Sequence, residues 1–572
     1  MLLSNLNLLA TAPGGIAKLR ELILTLAVQG KLVPQDASDE PASELLRKIR
    51  AEKDRLIAEG KIKRDKPLAG IGDDTPFELP EKWEWVRLID LMPEFQNGAS
   101  SRGDAGGQPI TVLRLADIKG KRISLEATRQ IPIARADIEK YRLAEGDILI
   151  TRVNGSADIV GQFNLCDKPV QAIYCDHFIR MRIDRRWIAA NYCALLGESA
   201  LVRESIKSLF ITTAGQKTVN QSHIGSLLFP LPPLAEQSRI VTRVEELMRL
   251  CDALEAKGRL EATQHAQLVS TLLATLTTST TPAELAAHWQ RVATHFDLLL
   301  DRPEAVDALE QTILQLAVRG LLVPQDPQDA PASHLLQTIR AEKDQLIAQG
   351  KIKRDKPLPP IAEEEKPFGL PVGWAWVRFD ELIHPLKPVA YGVLVPGPDA
   401  ETGIPFVRIA DLSLTDPPIK PEKSISPEVD AQFKRTRLDG GEILMGVVGS
   451  IGKLGVAPAT WAGANIARAI CRIVPADNGL NDFVLFLLQT QFMQENFAGD
   501  TRTLAQPTLN VGLIRAALTP VPPPAEQSRI VARVTTLRTL CADLRQRLAA
   551  SQSTQAQLAG ALVGVGSFSS EP

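Results

Sequence analysis

Residues 232–241 read PPLAEQSRIV and residues 522–531 read PPPAEQSRIV, the same phrase displaced by 290 positions. Each copy opens a helix, because proline pre-sets φ and is tolerated at a helix start. Behind the first copy, Ile240, Val244, Leu247, Cys251 and Leu254 fall at intervals of four and three. Behind the second, Ile530, Val534, Leu537, Cys541, Leu544 and Leu548 keep the same register. That spacing predicts a coiled-coil seam. With one seam at mid-chain and one near its end, the 572-residue chain is a duplicated molecule.

Working outward, the offset of 290 holds through the helical segments. LILTLAVQGKLVPQD from residue 22 returns as TILQLAVRGLLVPQD from residue 312. Ile16, Leu19, Ile23 and Leu26, answered by Val306, Leu309, Ile313 and Leu316, predict an amphipathic helix stopped by Gly30 or Gly320. A second helix follows in PASELLRKIRAEKDRLIAEGKIKRDKPL, residues 41–68, which returns at 331–358 with five of its 28 positions changed. Its basic tail, KIKRDK, reads as a solvated helix exit.

The character then changes. LPEKWEWVRL from residue 79 and LPVGWAWVRF from residue 370 alternate with period two, which predicts a strand start with core-facing indoles at Trp83/Trp85 and Trp374/Trp376. Short β-rich runs with many Gly and Pro follow, alignable but divergent: VLRLADI faces FVRIADL, and GDILIT faces GEILMG. The organisation expected is a helical region over 1–79, a variable domain over 80–231, a helical spacer over 232–370, a second variable domain over 371–521 and a helical end over 522–572. The fold class is α/β (α+β), with two β-rich domains separated by long antiparallel coiled-coil helices. The duplication is circular, since the C-terminal helix supplies the first half of a second spacer and the N-terminal helices supply its other half.

Composition narrows the class. Hydrophobic residues at 44% and charged residues at 23% describe a globular protein of several domains. No apolar run is long enough to span a bilayer, and the first residues lack the basic start of an export signal. The six cysteines form no Cys-x-x-Cys pair and read as small buried residues of a reducing, cytoplasmic compartment. The net charge of −2 leaves any phosphate binding to local patches. Residues 100–230 hold 18 Lys/Arg against 13 Asp/Glu, whereas residues 390–520 hold 11 against 13. The second variable domain therefore lacks bulk electrostatic support.

With the PPLAEQ-type helix start, LAVQGKLVPQD, IRAEKDRLIAEGKIK, GIPFVRIADL, GDILIT and the duplication in view, the chain resembles the specificity subunit of type I restriction-modification systems. The resemblance implies two target-recognition domains, each reading half of a split, asymmetric site in double-stranded DNA. It also implies methyltransferase subunits, two copies of which bind the helices and modify adenine N6, and a translocase-nuclease subunit. S-adenosylmethionine, ATP and Mg belong on that reading to the partners, with no cofactor in this chain. The residues expected to dock partners are Glu236, Gln237, Arg239, Val244 and Leu247, with Glu526, Gln527, Arg529, Val534 and Leu537.

Base edges are read by Arg, Lys, Asn, Gln, Ser and Thr side chains. Beside glycines, at strand ends or in polar loops, the first domain offers Arg114, Arg152, Asn154, Ser156, His177, Arg180, Lys217 and Asn220. The second offers Arg408, Ser450, Lys453, Asn465, Arg468, Arg502 and Asn510. Asn220 and Asn510 also suit a turn cap.

Three enzyme-like features fail. Asp416-Pro417-Pro418-Ile419 places Ile where an aromatic residue would stack on a flipped adenine. GVVGSIGK, residues 446–453, has its first Gly one place early and Leu454 where a phosphate loop needs Ser or Thr. The histidines and cysteines show no ligand spacing, so no metal is assigned. The expectation is a non-catalytic DNA-recognition subunit, with a duplicated protein-binding scaffold or a self-contained methyltransferase as the alternatives.

Overall fold

The computed structural model describes residues 6–62, 70–72, 75–99, 107–120, 122–126, 128–213, 215–354, 356–400, 402–499 and 508–568. They form two compact units. One comprises residues 1–261 with 552–572, and the other residues 262–551. Each contains one copy of the repeat, and helix Leu234–Thr278 carries the chain from the first unit into the second.

In the first unit, helix Gly15–Val28 buries Leu22, Ile23, Ala27 and Val28, and Gly30 follows its cap at φ 69°. Helix Ala42–Ala58 buries Leu45, Leu46 and Ile49. Both faces join Ile240, Val244 and Cys251 of the long helix in one core. The C-terminal end of the second long helix, Pro524–Phe568, belongs here as well: Ala559 and Val563 cluster with Leu9, Ala12 and Leu22. The second unit repeats the arrangement with Val269 and Leu273 beside Leu299, Val306 and Leu309, and with Ile530, Val534 and Cys541 in the same core. The circular completion of the repeat is thus a packing fact within each unit.

The variable segments are built alike. In the first unit, strand Glu84–Arg87 pairs antiparallel with Leu228–Leu231, so the intervening segment leaves and returns at one root. Between them lies a four-stranded sheet in the order Glu94–Asn97, Phe178–Arg182, Ile148–Thr151, Phe163–Leu165. Beside it is a three-stranded sheet in the order Ala172–Tyr174, Gln108–Leu113, Arg129–Ile133. In the second unit Ala375–Arg378 pairs with Leu518–Val521. Its four-stranded sheet runs Ala390–Tyr391, Ile470–Ile473, Ile443–Gly446, Leu454–Val456, and its three-stranded sheet Lys423–Ile425, Ile404–Val407, Asn465–Ile466. The phrase GVVGSIGK is the tight turn of a β-hairpin, with the Gly446 N–H donating to the Lys453 carbonyl at 2.8 Å and no helix behind it.

The repeated helix-start phrase is a buried lock. Glu236 accepts from Trp83 Nε1 at 3.0 Å and from Gln35 Nε2 at 2.7 Å; Glu526 accepts from Trp374 Nε1 at 3.0 Å and from Gln325 Nε2 at 2.7 Å. Burial pushes both carboxyls above the usual range, opposed by those hydrogen bonds. This corrects the expected docking set. Glu236, Gln237, Glu526 and Gln527 are enclosed, and Gln237 and Gln527 donate to the carbonyls of Pro232 and Pro522. Arg239 and Arg529 are paired to Asp39 and Asp329. Val244 and Val534 are buried in the cores, and Leu247 and Leu537 are packed against them. Glu236, Gln237, Val244, Glu526, Gln527 and Val534 therefore hold the short helices, the strand root and the long helix together, whereas Arg239, Leu247, Arg529 and Leu537 stay partly exposed.

Candidate nucleic-acid interface

The chemistry concentrates where the two sheets of each variable domain meet at an edge. Strand Gln108–Leu113 runs parallel to Ala172–Tyr174, and both end beside the turn Cys175–Asp176–His177. The loop after Ile148–Thr151 folds onto the same edge, because the Arg152 N–H donates to the His177 carbonyl at 2.7 Å and Val219 N–H to the Arg152 carbonyl at 2.9 Å. Lys217 pairs in register with Asn154, and its Nζ donates to the Gly155 carbonyl at 3.0 Å. Gly98 brings the end of strand Glu94–Asn97 against this turn; a Cβ there would lie 2.1 Å from the Cys175 carbonyl oxygen. Gln221 Nε2 then donates to Asn97 Oδ1 at 3.1 Å.

Of the residues selected from the sequence, this edge gathers Arg152, Asn154, Ser156, His177, Lys217 and Asn220, with Arg114 at the end of the neighbouring strand. Ser156 and His177 are exposed, and Arg152 reaches the Asp176 carbonyl at 3.4 Å. Asn154 Oδ1 accepts from Ser156 N–H at 2.8 Å and shapes the loop. One residue is corrected. Arg180 is 3% exposed, paired to Glu94 and bonded to the Lys140 and Arg142 carbonyls, so it is a sheet strut. Asn220 caps the helix Gln221–Gly225 through His223 N–H at 2.9 Å. Arg114 is half committed to the buried Asp117.

The second domain builds the same edge from different side chains. Ala467 N–H donates to the Val407 carbonyl, Val447 N–H to the Ala469 carbonyl and Leu509 N–H to the Val447 carbonyl, each at 2.8–2.9 Å. Gly392 repeats Gly98, with a Cβ position 1.8 Å from the Ile466 carbonyl oxygen. Arg408, Ser450, Lys453 and Arg468 lie at this edge. Arg408 is engaged by Asp411 and Glu422, and Lys453 donates to the Ile409 carbonyl at 2.8 Å. Ser450 and Arg468 are exposed, and Arg468 has no side-chain hydrogen bond among the described residues. Asn465 is corrected: it is fully buried, donating to Asp430 and the Phe433 carbonyl and accepting from Thr436. Asn510 caps the helix Val511–Ala516, and Arg502 lies outside the described residues.

Tyr391 was not singled out from the sequence. Its hydroxyl donates to the Leu509 carbonyl at 2.7 Å and accepts from Val511 N–H at 2.6 Å. The signal for it was Gly392, aligned with Gly98, which places Tyr391 opposite Asn97 in the repeat. Cys175, Asp176 and His177 bring one metal-type ligand atom each within 4.8 Å, a consecutive trio that a search for ligand spacing passes over. Burial raises the Cys175 thiol and favours its protonated form.

All six cysteines are free and buried. Trp83 is buried in the lock, while Trp85 packs its ring 5.0 Å from Phe77. Neither indole is a base-stacking platform. Among the described residues no helix is long and apolar enough to cross a membrane.

Residues 80–264 and 398–551 match the family described as Type I restriction modification DNA specificity domain. The chain is 36% identical over 566 residues to the type I restriction enzyme EcoAI specificity subunit of Escherichia coli, covering 96% of this chain and 93% of that one. It is 35% identical over 576 residues to the EcoEI specificity subunit of Escherichia coli, with the same coverage of 96% and 93%. A solved chain from a study of complex assembly and conformational transition of the type I R-M system superimposes with a TM-score of 0.49 at 18% identity, covering 87% of this chain and all of that one. The chain therefore belongs to the type I restriction-modification DNA specificity family, as a non-catalytic subunit that confers DNA sequence specificity within a larger complex.

Proposed function

We propose that the two domains, 80–231 and 371–521, read separate halves of a bipartite, asymmetric duplex site and place partner subunits over it. The observation that carries this reading is the pair of equivalent sheet edges. Their backbone hydrogen bonds correspond, yet their side chains differ: Asn97, Asp176 and His177 in one, Tyr391, Arg468 and Ala469 in the other. A common scaffold with different donors suits separate base readout. Addressed from one face, two such half-sites lie roughly one duplex turn, about 34–36 Å, apart.

The partners on this reading are two adenine-N6 methyltransferase subunits and a translocase-nuclease, which bring S-adenosylmethionine, ATP and Mg, all in the cytoplasm. Each methyltransferase flips an adenine that this chain has positioned. Leu250 and its repeat mate Leu540 are 59% and 60% exposed on the long helices and supply apolar contact in place of the buried residues corrected above.

Methylome sequencing of a host expressing this chain with its methyltransferase tests the reading. Modification at one bipartite motif with a constant unread gap is expected; methylation without sequence preference, or a single continuous motif, would refute it. Inserting one heptad after Leu254 is expected to lengthen the gap while leaving both half-sites unchanged.

A further inference from the structure

The second variable domain has 11 basic against 13 acidic residues between 390 and 520, yet its positive charge is concentrated. A groove of about 620 Å³ beside the reading edge is lined by Lys387, Tyr391, Lys434, Arg435, Arg437 and Arg472, with Asp439 as its one acidic residue. Lys387 is paired to Asp439 at 2.5 Å and Arg437 to Asp430. That leaves three cations. Lys434 and Arg435 are exposed and have no ion pair among the described residues. Arg472, 5% exposed, donates to the Arg437 carbonyl at 2.9 Å and leaves its Nε without a partner. Two exposed cations beside a buried guanidinium, which Asp439 and Glu442 offset from a distance without a hydrogen bond to it, concentrate positive charge at one place inside an acidic domain.

The first domain shows what is special here. Its equivalent buried arginine, Arg180, is neutralised by Glu94. Its helix Arg135–Tyr141 carries Glu139 3.9 Å from Arg142 and sets Lys140 over the Tyr141 ring. Tyr391 joins the groove to the reading edge, since its hydroxyl is held by Leu509 and Val511 and the Arg468 charge acts on it.

We propose that this groove seats the phosphate backbone of duplex DNA flanking the bases read by the second domain, with Lys434 and Arg435 as the contacting cations. The proposal rests on the DNA-reading function given above. It supplies the second domain with the sequence-independent anchoring that its overall charge lacks.

The test uses the full chain in complex with its methyltransferase. Affinity for a random-sequence duplex is measured against salt, together with selection of preferred sequences from a random pool. K434A/R435A is expected to weaken binding about tenfold and to flatten the salt dependence by about two, near 0.9 for each phosphate no longer neutralised, with both half-sites unchanged. R47A, on the exposed face of helix Ala42–Ala58, is the charge control. An unchanged salt dependence in K434A/R435A overturns the inference while leaving DNA reading intact. Altered bases in one half-site would assign these residues to base readout and also overturn it. Absence of sequence preference in the wild-type complex refutes the functional reading itself. Coincident melting curves for variant and wild type exclude misfolding as the cause.

Discussion

The two units share their buried frame and invert the ion pairs beside it. The Glu–Trp–Gln lock has the same partners at matching distances in both. Against it, Arg20 of helix Gly15–Val28 donates to Asp252 and Glu255 at 2.7 and 2.8 Å, whereas its repeat mate Glu310 accepts from Arg538 and Arg545 at 2.7 and 2.9 Å. Asp307 adds a further carboxylate to Arg545. Helices that repeat the same buried apolar positions are thereby matched, each to its own long helix. A Gly15–Val28 helix set on the start of the other long helix would place Arg20 against Arg538 and Arg545. Packing in a duplicated chain says which faces meet; charge says which copy.

The comparison can be broken at several depths. Trp83→Ala and Trp374→Ala each open a large cavity and leave a buried carboxylate with one of its two donors. A loss of about 3–5 kcal/mol is expected for each, measured by chemical unfolding. Equal losses sustain the shared frame, and a loss in one unit alone would break it.

Arg152→Ala and Arg468→Ala are expected to relax discrimination by about 1–3 kcal/mol, the former in one half-site and the latter in the other. Sequence selection with each variant reads this directly. Relaxation of the same half-site by both would defeat the assignment of one edge to each.

Glu310→Arg gathers three guanidinium groups at one place and is expected to destabilise by about 2 kcal/mol in thermal melts. Adding R538E/R545E, which restores opposite charges in the first unit's sense, should recover most of that loss. Failure to recover would show that side-chain shape, not charge, matches the helices.

The smallest effect expected is a pH dependence. Glu236 and Glu526 have folded pKa values raised above the unfolded value, so the folded state holds these protons more tightly. Stability then falls as pH rises from the usual glutamate range through the raised folded value. Melting temperatures of E236Q/E526Q across that range should lose this slope.

Much of this architecture was legible because duplication prints a fold twice. The 290-residue offset located the helices, and Gly30 and Gly320 marked their ends. Sequence reasoning failed at the AEQ phrase, where polar residues in a surface-like helix start suggest docking; only the three-dimensional approach of Trp83 and Gln35 to Glu236 reveals a buried lock. It failed again at Asn465 and Arg180, whose residue types suit base reading but whose side chains are buried and hydrogen-bonded within their domains. Tyr391, Lys434 and Arg435 were missed because a domain-wide charge count averages over a field that is local.

The packing of Ala559 and Val563 on Leu9 and Leu22 has a kinetic side. In the second unit the corresponding contact, Leu273 with Leu299, closes a loop of about 25 residues; in the first unit the closure spans roughly 550 residues. For a flexible chain that difference is worth roughly 3 kcal/mol of closure entropy. The terminal contact is therefore the last to form, after the intervening chain has folded and shortened the effective loop. It is expected also to open first when the chain is destabilised, which hydrogen exchange would read as early labelling at the end of the second long helix.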